Sequence, residues 1–361
     1  MNTATAPKAS PLVYLLVTAA IALLVAIYCT PIWWVSLTAP NYPQEAFPDG
    51  VRIHFHLNGI FNGCQKVEKE EIHEEEALDC VHEMDTINHY VGMYPLAAGG
   101  VIERAFSPFL ISMLGVMLVG FMLPAPRLRM GVMTLAFTLL IGWMYLYYYG
   151  ADGLKYQNLG YLKTLATGLD SSGGGAEDAA LPVRGTQTGL SPGQALIAQL
   201  KRELAKNTAQ APTAATAVTS EKRRYIDNLA ATFREDQGPG GDQGPWTGSG
   251  RQVLIWHYAK TLGRYFNDPA QIAPMAASMG AAAQGVFWAL IGVMLLLLWG
   301  ARKNGGPLYW LLVLAPLGLP LFFLIDFSGW LWWYGHHLNE MGAFTVKPFM
   351  PTVFGDGKVA Q

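Results

Sequence analysis

Five stretches of this chain run for 18 to 21 residues with a single charge among them, and that pattern leaves few folds open. A helix needs about 20 mostly apolar residues to cross a bilayer. The stretches are Leu12–Thr30, Phe106–Leu123, Gly131–Tyr149, Ala283–Gly300 and Pro307–Phe327, and the one charge is Asp326. Leu12–Thr30 reads as a retained anchor. Pro31 and Trp33–Trp34 follow it, where a cleaved signal would show small residues. The remaining four stretches form two hairpins, closed by the short loops PAPRLR and ARKNGG.

Charge fixes the expected orientation. Lys8, Arg127, Arg129, Arg302 and Lys303 fall in three short segments that share one side of a five-span chain. Basic short loops stay inside, so the N-terminus is expected inside. Aromatic residues mark the opposite boundary: Trp33 and Trp34, Tyr145 and Tyr147–Tyr149, then Trp330, Trp332 and Trp333. The expected organisation is a tail and first span (1–30), an outer domain (31–105), a hairpin (106–149), a long outer insertion (150–282), a second hairpin (283–327) and an outer tail (328–361). In a bacterial inner membrane, outer means periplasmic.

Of the 361 residues, 52% are hydrophobic and only 14% charged, against about 25% charged in a soluble domain. A net charge of −2 argues against a nucleic-acid partner, and three cysteines cannot staple a chain of this length. The lipid bilayer and other membrane or periplasmic subunits are the expected partners.

Within 31–105, the alternation Val51–Leu57 reads as a strand, with Arg52, His54 and His56 on one face. The following run, Lys66 to Met93, lacks Gly and Pro until Gly92 and suits one or two helices, its acidic part (Glu68–Asp79) a solvated face. Cys64 and Cys80 share an outer segment, where an oxidising compartment permits a disulfide; a pair of metal-binding thiolates is the alternative. Cys29, inside a span, reads as packing. From about 167 to 250 the chain is rich in Gly, Ala, Ser, Thr and Pro, and reads as a flexible insertion carrying two short helices, Gly193–Lys206 and Ser220–Glu235. Gln252–Phe266 reads as an amphipathic, aromatic segment at the membrane surface. The expected fold class is mainly α: a polytopic membrane bundle with a small mixed α+β periplasmic domain.

All eight histidines fall on the outer side of this topology. The densest constellation is His82, Met84, His89 and Met93. Imidazole with thioether suits copper, because thioether is a soft ligand. His54 and His56 are possible additions. His336, His337 and Met341 repeat the same chemistry in the tail. Each histidine alone is as well explained by helix capping or interface water. Asp326, near the outer end of the fifth span beside Ser328, either reaches interface water or is functional, as intramembrane carboxylates tend to be. No GxSxG, Walker or CxxCH motif is present, nor a GxGxxG that opens a helix. An accessory or structural protein is therefore expected rather than an enzyme.

The pieces Trp33–Trp34, Ala39-Pro40-Asn41-Tyr42-Pro43 and Ile87-Asn88-His89-Tyr90-Val91-Gly92-Met93 resemble a group of bacterial membrane proteins. These have an anchor helix, an APxYPxG element and an NHYxGM element before the next span, and they occur in gene clusters for copper-dependent nitrous oxide reductase, mainly its atypical form. The tail from Phe344 is similar to their longer members. The chain departs from the short pattern in its insertion from His54 to Cys80 and in the long segment 167–250. The resemblance implies copper delivery, electron supply or enzyme maturation. It centres ligation or docking on Asn88, His89 and Met93, with Tyr42 and Tyr90 packed around them. A subunit of a larger membrane complex without a metal is the second expectation. A quinone-reactive subunit using Asp326, His336 and His337 is the third.

Overall fold

The computed structural model describes residues 11–38, 47–64, 66–68, 75–77, 80–94, 96, 100–170, 214–237, 244–263, 269–302, 306–307, 318–338 and 347–348. Helix α1 (Pro11–Cys29) leads through a short turn into strand β1 (Trp33–Leu37). Strands β2 (Val51–His56) and β3 (Gly59–Asn62) follow, then the short pair β4 (Lys66–Glu68) and β5 (Glu75–Ala77), and helix α2 (Cys80–Tyr90). The rest is helical: α3 (Val101–Met122), α4 (Pro126–Tyr148), a 3-10 turn (Gly153–Tyr156), α5 (Leu159–Asp170), α6 (Ala214–Gln237), α7 (Gly250–Gly263), α8 (Pro269–Ala301) and α9 (Gly318–His336).

Among the described residues, four helices are long and apolar enough to cross a membrane: Pro11–Cys29, Val101–Met122, Pro126–Tyr148 and Ala270–Ala301. The chain is thus a membrane protein, and four of the five expected spans are present. Of the fifth, residues 308–317 lie outside the described residues, and α9 begins at Gly318. The helices overrun the apolar stretches: α3 starts five residues before Phe106 and α8 fourteen before Ala283. Hydropathy marks where lipid begins, whereas hydrogen bonding continues a helix through polar residues such as Glu103 and Arg104.

Arg129 joins the two hairpins. It is buried, and its Nε and Nη2 donate to the Ala301 carbonyl at 3.1 and 2.6 Å. A cation thus sits on the carboxyl end of α8, where the helix leaves carbonyls unpaired. The contact also sets the loop before α4 beside the end of α8, so Arg127, Arg129 and Arg302 lie at one end of the bundle, as the five-span order requires.

At the other end one continuous core runs from α3, α4 and α8 into α5, α6 and α7. Within segment 167–250 the helix expected at Ser220–Glu235 is present as α6, longer at both ends (Ala214–Gln237), and it buries Leu229, Ala230 and Phe233. Phe233 meets Trp246 and Trp256 at 5.2 Å each, and Asp236 accepts from Trp256 Nε1 and Lys260 Nζ, both at 2.9 Å. Three large rings hold a segment whose composition alone signals a linker. The other expected helix, Gly193–Lys206, lies outside the described residues. Gln252–Gly263 lies in α7, which buries Val253, Leu254, Trp256, His257, Thr261 and Leu262, against α8 among others, rather than presenting one apolar face; residues 264–266 of the expected segment lie outside the described residues.

The sheet unit departs from expectation in one place. The acidic run was expected to be helical from Lys66, but β4 and β5 pair antiparallel, with Lys66 opposite Ala77 and Glu68 opposite Glu75, and the helix starts only at Cys80. A helix over Glu68–Asp79 would stack carboxylates at i, i+3 and i, i+4, which is unfavourable.

Candidate functional site

Strand β2 lies between β1 and β3, antiparallel to both. Its period-2 alternation divides the sheet into two faces. Val51 and Ile53, opposite Leu37 and Val35, turn inward. They pack with Cys80, Met84, Met93 and Leu96. Phe55 belongs to the same face, with Trp33 stacked on it at 3.8 Å. Cys64 and Cys80 are joined by a disulfide, with Cα atoms 5.9 Å apart, which ties the end of the sheet to the start of α2. Asn62 Oδ1 accepts from the Cys64 and Cys80 backbone N–H groups at the same junction.

The opposite face carries Arg52, His54 and His56. Trp34 stands across from His54 on β1 and Phe61 across from it on β3. The His54 and His56 ring centres are 6.4 Å apart, and the Phe61 ring meets His56 edge-on at 4.9 Å. Partial burial first, and the neighbouring His54 second, lower the His56 pKa below the ordinary histidine value. A neutral imidazole is the form that binds metals.

The expected four-residue cluster is not brought to one point. Helix α2 stops at Tyr90. Gly92 takes φ +77°, the Gly92 N–H donates to the His89 carbonyl at 3.0 Å, and the Met93 N–H donates to the Asn88 carbonyl at 2.9 Å. This is a Schellman stop, which favours glycine because the left-handed conformation penalises a Cβ. Met93 therefore leaves the helix before completing the turn that would align it with His89. Met84 and Met93 are in the apolar core, His82 is exposed and His89 half-buried. Asn88 is buried, with its Nδ2 lacking a hydrogen-bond partner, and Tyr90 is 50% exposed. The NHYVGM element is a helix terminator that turns a methionine into the core. Asp85, which the sequence did not single out, is buried and accepts from the Leu96 N–H, holding the chain after the stop against α2.

Among the described residues no three His, Cys, Asp or Glu side chains converge as a metal site. A pair remains: metal–nitrogen bonds of about 2 Å bring two imidazoles onto one ion after a small rotamer movement of His54 or His56. In α9 the two tail histidines turn back on their own helix. His336 stacks on Trp332 at 4.6 Å and His337 on Trp333 at 4.7 Å, and each Nδ1 lies within 2.7 to 2.9 Å of the carbonyl of that tryptophan. This is C-terminal capping. Asp326 lies in α9. Tyr42, Met341 and the side chain of Asp326 lie outside the described residues. His257, counted with the outer histidines, is buried in α7.

A second polar cluster, missed by sequence reasoning, sits where the sheet unit meets the bundle. The Tyr147 and Tyr161 hydroxyls are 2.9 Å apart, and Gln157 Nε2 donates to the Ala105 carbonyl at 3.1 Å. Burial pushes the Tyr161 pKa up, partly offset by the Tyr147 hydrogen bond and by Arg104. The signal available was Arg104 itself, a charge two residues before an apolar stretch.

The fold and site define a class: an α-helical membrane protein with a disulfide-stapled sheet unit seated on its bundle. No family model matches the chain, and no curated protein or solved structure matches it either.

Proposed function

We propose that this chain is an inner-membrane accessory protein whose periplasmic sheet unit handles copper for, or docks onto, a periplasmic copper-dependent respiratory enzyme, such as one that reduces nitrous oxide. One observation carries the reading: His54 and His56 stand together on the open face of a sheet whose other face is packed. Two imidazoles are too few for a permanent closed site, which suits transfer, with the partner completing the coordination. Trp34, on the same face and 61% exposed, gives that partner an aromatic anchor of the kind that dominates interface energetics. The disulfide supports an oxidising compartment, hence large loops and C-terminus outside and N-terminus inside. Met84 and Met93 serve the core, and soft thioether ligation would require that core to open.

Copper titration of the purified protein, Cu(I) and Cu(II) separately, tests the reading. His54→Ala with His56→Ala is expected to abolish binding, and Met84→Leu with Met93→Leu to leave stoichiometry unchanged. Loss of binding on the methionine pair alone would overturn the assignment. A structural subunit without its own metal is the second reading, favoured by exposed Trp34 and Tyr90 on one small unit. It requires that the native complex hold copper only in other subunits.

A further inference from the structure

We propose that the Cys64–Cys80 disulfide controls the metal affinity of the His54–His56 pair by holding Gly63 against the His54 ring, which makes the pair a redox-controlled site. The inference rests on the metal-handling reading above and names its regulation. Strand β3 ends at Asn62, but the chain follows β2 one step further: the Gly63 N–H donates to the Arg52 carbonyl at 3.0 Å. The two-residue alternation therefore continues through Cys64. Gly63 falls on the face of Arg52 and His54. Cys64 falls on the packed face, where it lies against the apolar cluster and is bonded to Cys80.

The His54 ring occupies the space that a side chain at position 63 would take. A Cβ on Gly63 would lie 2.9 Å from His54 Cδ2 and 3.0 Å from both Arg52 Cγ and the Arg52 carbonyl oxygen. Past the end of β3, Gly63 is held by its own bond to Arg52 and by the anchoring of Cys64. The Cys64 N–H donates to Asn62 Oδ1 at 3.0 Å, and the Arg52 N–H donates to Cys64 Sγ at 3.5 Å. The disulfide then fixes that sulfur to the start of α2. Cys80 is fully buried and Cys64 only partly so, which directs a dithiol reductant to Cys64. One donor thiolate bonds to Cys64 Sγ, and Cys80 leaves and takes a proton. The second donor thiolate displaces Cys64, which is protonated in turn. Two electrons and two protons pass to this chain, and the donor ends as a disulfide. Cys64 is then free of α2, and His54 regains rotamers that metal binding must freeze again. Freezing one such side chain weakens binding by roughly two- to tenfold. The oxidised form holds the metal, and the reduced form yields it.

The full chain, purified in detergent, is titrated with Cu(II) and the bound ion followed by electron paramagnetic resonance. A second readout needs no metal: the nuclear Overhauser contact between the His54 Cδ2 proton and the Gly63 Cα protons. Cys64→Ser with Cys80→Ser should lose that contact and bind Cu(II) roughly two- to tenfold more weakly, with the Val51 and Ile53 amides still protected from exchange. Gly63→Ala keeps the disulfide and adds no backbone strain, because Gly63 lies outside the left-handed region. Its methyl group displaces the His54 ring, so it too should weaken binding, and it carries the test should the cysteine variant not fold. Unchanged affinity in the folded cysteine variant, or in Gly63→Ala, overturns the inference and leaves the metal reading intact. Absence of Cu(II) binding in the wild-type chain overturns the metal reading instead, and the proton contact alone then decides whether the disulfide positions His54.

Discussion

Replacing Gly92 by alanine tests whether NHYVGM is a helix stop or a ligand motif. The structure places Gly92 at φ +77°. An alanine in left-handed conformation costs about 1–2 kcal/mol. The two bonds of the stop, Gly92 N–H to His89 and Met93 N–H to Asn88, can be kept only by bearing that strain. Releasing them would also withdraw Met93 from Val51, Ile53 and Cys80, so the strain is expected to be borne rather than relieved. The loss should therefore be local and near 1.4 kcal/mol, about a factor of ten in an opening equilibrium. Hydrogen exchange in detergent reads it directly: amides of Val91, Gly92, Met93 and Leu96 should exchange about tenfold faster, while those of α4 and α8 are unchanged. Met93→Leu conserves volume and should cost less than about 1.5 kcal/mol. Unchanged exchange in Gly92→Ala would refute the stop. Faster exchange throughout the bundle would refute its local character.

Three further outcomes are expected. Cys64→Ser with Cys80→Ser should destabilise the sheet unit by about 3 kcal/mol, from the closure of a loop with a 16-residue separation; proteolysis should then cut between β1 and α2 while the bundle survives. Phe233→Ala, at a position 1% exposed between Trp246 and Trp256, should cost about 3–5 kcal/mol and free α6 for cleavage near residues 214–237. The lowered His56 pKa means that the unfolded chain takes up its proton first as pH falls. Stability should therefore hold above the ordinary histidine pKa, fall as pH drops through it, and level off below the folded value. His56→Asn should flatten that slope in unfolding curves between pH 7.5 and 5.

The spans were legible because lipid imposes length and composition on them, and the strand at Val51–His56 because alternation has only one reading there. What failed to show was whatever depends on partners distant in sequence. The helix of α6 was expected, but not its packing: Phe233, Trp246 and Trp256 meet although residues typical of a linker separate them. Arg129 reads as a topology signal, but its burial on Ala301 needs a contact across 172 positions. The acidic run reads as helix until charge repulsion is set against the disulfide that brings Cys80 back to Cys64.

The candidate site shows the same limit in sharper form. Ligand type was read from side-chain chemistry, and spacing was applied to a helix that ends too early. In α2 a period of 3.6 would have set His89 and Met93 together; Gly92 breaks that period one residue before it matters. In β2 a period of 2 holds without interruption, so His54 and His56 do share a face. A ligand hypothesis drawn from spacing is therefore only as good as the element's continuity between the ligands, and glycine is the residue that signals where continuity fails. On that ground the strand pair, rather than the denser helix cluster, is the place to look for a metal.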